Sequence, residues 1–165
     1  MTDMAETSPT RVVELVVNLD DATGETVGYA RRALLDAGAL DVWSTAIDMK
    51  KDRPGMMLSV LGKPEQQDAL AMLMLELTGS FGVRVRPWDR VVLDRHFVEQ
   101  ESRLGPVKLK VGVRAGKVLA VKPEFDAVKK LASNAGVPMS EAISAAQAAA
   151  DAYRAACEKA AGGQP

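Results

Sequence analysis

The chain has 165 residues, a length that fits one compact domain, with 47% hydrophobic and 26% charged residues, so a largely disordered chain is excluded. A formal net charge of −1 excludes a protein whose affinity comes mainly from neutralising a phosphate backbone, so no nucleic-acid partner is expected. One cysteine, Cys157, and one histidine, His96, cannot make an internal disulfide or a self-contained zinc site.

Residues 1–10 and 159–165 read as disordered tails, polar and acidic at the first end and closing on Gly-Gly-Gln-Pro at the other. The opening lacks the basic and apolar stretches of a secretory signal, and no apolar run approaches the roughly 20 residues of a membrane helix. The expectation is a cytoplasmic protein without a membrane partner.

Arg11 to Leu19 is β-branched and of strand length. After Asp20-Asp21-Ala22-Thr23-Gly24, helical spacing puts Val27, Ala30, Leu34 and Leu35 on one face, with Gly38 as the stop and Asp21 or Thr23 as the cap. Leu40 to Met49 and Met56 to Leu61 read as strands joined by Lys50-Lys51-Asp52-Arg53-Pro54-Gly55, a hairpin tip with three cations that Pro and Gly would hold in one shape. Pro64 opens a second helix in which Leu70, Leu73, Met74 and Leu77 form the core-facing stripe, and Gly79 ends it. A strand returns through Phe81 to Val85 and continues past Pro87 into Arg90 to Glu99.

Strand–helix–strand–strand–helix–strand is the order of a ferredoxin-like split βαβ layer, so the expected class is a two-layer α+β domain with its core over residues 11–102. Residues 103–158 read as an extension of that domain. A hairpin turning at Arg114-Ala115-Gly116 continues the sheet, and two helices follow. The first has Phe125, Val128, Leu131 and Ala132 on its buried side. The second is alanine-rich, with Met139 stapled on Ile143 and a narrow stripe of Ile143, Ala146, Ala150 and Tyr153.

Three groups of residues could carry chemistry. Asp20 and Asp21 stand at the end of the first strand, where carboxylates can share a hard cation with phosphate oxygens or can cap the helix that follows. Lys50, Lys51 and Arg53 can follow a phosphate or form a solvated hairpin tip. Arg84, Arg86 and Arg90 share one face at strand spacing, which suits a ligand or a partner. Cations outnumber acids from Arg103 to Lys130, a pattern that composition alone reads as a solvated face. The glycine-rich phosphate loops and the nucleophile elbow are absent.

Taken together, five words in register resemble the C-terminal domain of the LarC family, which inserts nickel into the nickel-pincer nucleotide cofactor. They are Asn18-Leu19-Asp20-Asp21; Ala37 to Trp43; Met49-Lys50-Lys51 with Arg53-Pro54-Gly55 and Leu58 to Leu61; Gly82-Val83-Arg84; and Val121 to Glu124 leading to Gly136-Val137-Pro138. The likeness runs from about Arg11 to Ala146. It implies a cyclometallase system in which nickel, as substrate, enters a pyridinium bis-thiocarboxylate mononucleotide while CTP is hydrolysed. It also implies a homo-oligomer that binds CTP with Mg²⁺ or Mn²⁺.

Carried onto this chain, the resemblance gives Asp20 and Asp21 to the metal and Lys50, Lys51, Arg53 and Arg84 to the nucleotide. The family commonly has Glu-Thr-Thr-Thr before Leu-Gly-Val-Arg, where this chain has Leu77-Thr78-Gly79-Ser80-Phe81. Nickel favours imidazole and thiolate, which this chain hardly supplies. The expectation is a stand-alone nucleotide-binding half of a CTP-dependent nickel chelatase, completed by a separately encoded chain like the LarC N-terminal region. The alternative is a non-catalytic ferredoxin-like ligand-binding or scaffold oligomer.

Overall fold

The computed structural model describes residues 10–162, which form two compact units, residues 10–91 and 92–162. The tail expected over 1–10 lies outside the described residues except for Thr10, which begins a strand. Residues 159–162 are helical rather than tail-like, and 163–165 lie outside the described part.

Among its described residues the first unit runs β1 (Thr10–Leu19), α1 (Gly24–Asp36), β2 (Asp41–Met49), β3 (Arg53–Gly62), α2 (Gln67–Thr78) and β4 (Arg84–Arg90). The sheet order is β2-β3-β1-β4, with every neighbouring pair antiparallel. This is the ferredoxin-like arrangement that the element order implied. Strand alternation sends Val13, Leu15, Val17 and Leu19 of β1 to the helix side, together with Leu58 and Val60 of β3. There they meet Val27, Ala30 and Leu34 of α1 and Leu70 and Met74 of α2. Burying side chains of this size contributes roughly 1.5–3 kcal/mol each, so the stripe fixes which face of β1 points inward. The opposite face carries Glu14, Val16, Asn18 and Asp20.

The helix ends follow local chemistry. Thr23, not Asp21, caps α1: its side chain accepts from the Thr26 N–H at 3.2 Å. Gly79 closes α2 in the left-handed conformation, its N–H donating to the Leu75 carbonyl. Leu35 does not join the core and is 46% exposed.

The second unit comprises β5 (Asp94–Ser102), β6 (Gly105–Arg114), β7 (Lys117–Pro123), α3 (Phe125–Ala135) and α4 (Met139–Gly162), with an antiparallel sheet in the order β5-β6-β7. This corrects the expected single sheet. The strand entering at Arg84 stops at Arg90, and the segment from Asp94 pairs with β6 instead, Val98 opposite Leu109 and Glu99 opposite Lys108. The hairpin therefore extends a second sheet, and the boundary falls at residue 91 rather than 102. The cause is a tight turn at Ser102–Gly105, in which the Ser102 hydroxyl donates to the Gly105 carbonyl at 2.6 Å and accepts from the Leu104 N–H at 3.2 Å. A local pairing of this kind closes a short loop at small entropic cost. The expected turn between β6 and β7 is present, with Ala115 and Gly116 both at positive φ as a two-residue hairpin requires.

Helices α3 and α4 cover one face of this sheet through Val107, Leu109, Val128, Leu131, Ala142, Ala146, Ala149 and Ala150. Two expectations shift. Ile143 is 49% exposed, because α4 seats its alanines on the sheet and turns the larger side chain outward, and Phe125, at the start of α3, is 61% exposed. Among the described residues no helix is long and apolar enough to cross a membrane.

Candidate functional site

Of the six expected site residues, the first unit brings Asp20, Lys50, Arg53 and Arg84 to one end of its sheet, and Asp21 and Lys51 adjoin them in the chain. Antiparallel pairing makes the end of β1, the β2–β3 connection, the start of β3 and the start of β4 neighbours. Asn18 and Asp20 share the face away from the helices, since Val17 and Leu19 between them are buried in the core.

The β2–β3 connection is closed by the Met49–Arg53 pair, and its tip is Lys50–Asp52. Pro54 and Gly55, expected in the turn, lie inside β3. The left-handed positions are taken instead by Lys51 (φ 64°) and Asp52 (φ 55°), neither of which is glycine. Such a backbone costs on the order of 1–3 kcal/mol per residue, and strain of this sort gathers at functional sites. Gly55 serves a different purpose: a Cβ there would lie 2.7 Å from the Leu19 carbonyl and 2.7 Å from the Met49 sulfur, so its absence lets β3 approach the end of β1.

That approach carries Arg53 onto Asp20, its Nη1 donating to Oδ2 at 2.9 Å across 33 residues of sequence. The hydrogen bond from Arg53 is the main reason the Asp20 carboxyl titrates below its ordinary value of 3.8. Desolvation opposes it, while the charge of Arg53, a backbone hydrogen bond and the charge of Lys50 add to it. Arg84 Nη2 donates to Asn18 Oδ1 at 2.7 Å, which orients the guanidinium beside the same strand end. Asp21, Lys50 and Lys51 are exposed. The site is open to solvent, with Arg53 and Arg84 both exposed.

Arg86 and Arg90 share the face of Arg84, as strand spacing requires, but Arg86 belongs to a different constellation. Arg86 lies over the Trp88 ring at 4.6 Å, and Trp88 Nε1 donates to Glu14 at 2.9 Å. Trp88 thus covers the outer face of the sheet. Sequence reasoning placed Asn18 in the acidic step but gave it no part in the site. Its alternation with Asp20 was the available signal, and the partner 66 residues away was not.

Among the described residues no three His, Cys, Asp or Glu side chains converge on a common point. Asp20 and Asp21 alone are too thin a donor set to hold a cation unaided. They do fit an ion that arrives with phosphate oxygens and water, because Mg²⁺ needs only one or two carboxylates from a protein.

Residues 1–143 match the family model described as nickel insertion protein. A relative from Lactiplantibacillus plantarum, the pyridinium-3,5-bisthiocarboxylic acid mononucleotide nickel insertion protein, is 39% identical over 140 residues, which is 85% of this chain and 33% of the relative. Among solved structures, LarC2, the C-terminal domain of a cyclometallase involved in the synthesis of the NPN cofactor of lactate racemase, in its apo form, is similar with a TM-score of 0.81 and 38% identity. That match covers 87% of this chain and 99% of the domain. A protein from Methanopyrus kandleri AV19 is similar at a TM-score of 0.65 and 29% identity, covering 87% of this chain and 88% of that one.

The fold and the matched motifs therefore define a two-unit α+β chain similar to the C-terminal domain of a cyclometallase. The chain belongs to the nickel insertion protein family and corresponds to the LarC C-terminal domain. It spans about a third of the length of the curated relatives it matches.

Proposed function

We propose that this chain is the nucleotide-binding part of a LarC-type nickel insertion enzyme. It binds CTP together with Mg²⁺ or Mn²⁺ and supports CTP-dependent insertion of nickel into the pyridinium bis-thiocarboxylate mononucleotide, in concert with a chain like the LarC N-terminal region and as a homo-oligomer. The observation that carries this reading is the gathering of Asp20, Lys50, Arg53 and Arg84 at one end of one sheet.

Each residue has a task set by its chemistry. Arg84, already oriented by Asn18, offers a planar fork to a phosphate, and Arg53 offers a second. Lys50 and Lys51 supply compact charge from the strained turn. A divalent cation bound with the nucleotide supplies charge neutralisation at the phosphates. Asp20 would leave Arg53 to meet that cation, so one ion pair exchanges for two: carboxylate with metal, guanidinium with phosphate. In the free site Asp20 and Arg53 hold each other, while Arg84, Lys50 and Lys51 present their charge to solvent, where an arriving phosphate can meet it.

That same Asp20–Arg53 pair favours a second reading, a non-catalytic scaffold in which it simply ties β3 to the end of β1. Thermal-shift measurements with CTP, ATP, GTP and UTP, each with and without Mg²⁺ or Mn²⁺, separate the two. At 100 times the dissociation constant a ligand adds about 2.7 kcal/mol, and for a chain of this size that moves Tm by roughly 5–10 °C. A metal-dependent shift greatest for CTP is expected. No shift with any nucleotide overturns the proposal in favour of the scaffold, and an equal shift with all four overturns cytosine recognition.

A further inference from the structure

The loop from α2 to β4 has a feature that neither packing nor the phosphate-binding groups explain. Phe81 is fully exposed, its ring in contact with solvent on all sides, although the sequence places it at the start of a strand. The loop that displays it is ordered by its own hydrogen bonds. The Thr78 hydroxyl donates to the Met74 carbonyl at 2.7 Å and accepts from the Ser80 N–H at 3.3 Å, and the Ser80 hydroxyl donates to the Gly82 carbonyl at 3.2 Å. Phe81 sits at the tip of this small closed turn. A Cβ added at Gly79 or at Gly82 would meet nothing within 4 Å, so there is open space around the ring's tether.

Phe81 is three residues from Arg84. The intervening chain spans at most about 10 Å when fully extended. Arg84 is fastened to Asn18, and Asn18 is two residues from Asp20 and its Arg53 partner. An unclaimed aromatic face therefore stands within the length of one nucleotide of the cationic and carboxylate groups. A phenyl ring brings no hydrogen bond and no charge. What it offers a polar, flat ligand is its π-face, which is how aromatic side chains hold bases in a sequence-tolerant way.

We infer that Phe81 is a stacking platform for the nucleobase of a nucleotide whose phosphates rest on Arg53 and Arg84. This rests on the nucleotide reading above and adds to it the residue that engages the base. The ring supplies affinity for the nucleoside portion and leaves the choice among bases to other groups.

The test is isothermal titration of the full chain with Mg²⁺ and either CTP or inorganic tripolyphosphate, for the unaltered protein, Phe81→Ala and Phe81→Trp. Stacking lost by alanine substitution is expected to weaken CTP binding by roughly 5- to 150-fold while leaving tripolyphosphate unchanged. Tryptophan is expected to restore CTP affinity and to add a fluorescence change on binding that the chain's Trp43 and Trp88 do not supply. Far-UV circular dichroism checks that each variant is folded. CTP affinity unchanged in Phe81→Ala overturns the stacking platform and leaves the nucleotide site standing, as does an equal loss for CTP and tripolyphosphate. A smaller oligomer in Phe81→Ala with CTP affinity intact assigns the ring to a subunit contact and likewise overturns it. An unaltered protein that binds neither ligand removes the nucleotide reading itself.

Discussion

Replacing glycine by alanine is one chemical change with two opposite expected results in the first unit. Gly28 lies in the middle of α1, and a Cβ there meets nothing within 4 Å. The substitution removes backbone freedom from the unfolded chain and is expected to stabilise by about 0.5–1 kcal/mol. At Gly55 the backbone is not left-handed, so the cost is purely steric. The new Cβ falls 2.7 Å from both the Leu19 carbonyl oxygen and the Met49 sulfur. The methionine can swing aside, but the carbonyl belongs to β1, whose ladder with β3 ends at the Leu19–Met56 pair. Overpacking of this kind costs about 1–3 kcal/mol.

For a chain of this size each kcal/mol moves Tm by about 2–4 °C. Gly28→Ala should therefore raise the transition by about 1–4 °C, and Gly55→Ala should lower it by at least about 2 °C. Urea and thermal melts followed by far-UV circular dichroism read both. Because Asp20 follows Leu19 directly, Gly55→Ala should also loosen the Asp20–Arg53 pair, visible as a rise in the Asp20 carboxyl pKa by NMR. A Gly55→Ala protein as stable as the original, or two variants that move the same way, refutes the close-approach argument.

Two further outcomes concern Asp20. Its carboxyl is held below 3.8 chiefly by the Arg53 hydrogen bond, so the pair contributes stability that is fully present above about pH 3.8 and is lost as pH falls through the depressed value. A carboxyl-carbon NMR titration should show Asp20 returning to the ordinary range in Arg53→Gln, and an unchanged midpoint would mean the pair does not persist in solution. Asp20→Ala frees Arg53 for phosphate while removing the metal-facing carboxylate. Titration calorimetry is expected to show metal-dependent CTP binding weakened and metal-free binding kept or improved, whereas equal losses would assign Asp20 to holding the strand end.

What local sequence settled is what local physics controls. In β1 the alternation of Leu15, Val17 and Leu19 with Val16, Asn18 and Asp20 set which side faces the helices, because successive side chains of a strand point oppositely. The periods of α1 and α2, and the paired positive-φ positions at Ala115 and Gly116, are likewise legible from neighbours a few residues apart. The tertiary structure alone decided where the strand after Pro87 ends, that β5 joins a second sheet, and which side of α4 is buried. It alone joined Arg53 to Asp20 and Arg84 to Asn18, and left Phe81 bare. Each of these depends on strand register and on groups far along the chain. Competing pairings of the same β-rich segments satisfy backbone hydrogen bonds equally well, so only the packed whole selects among them.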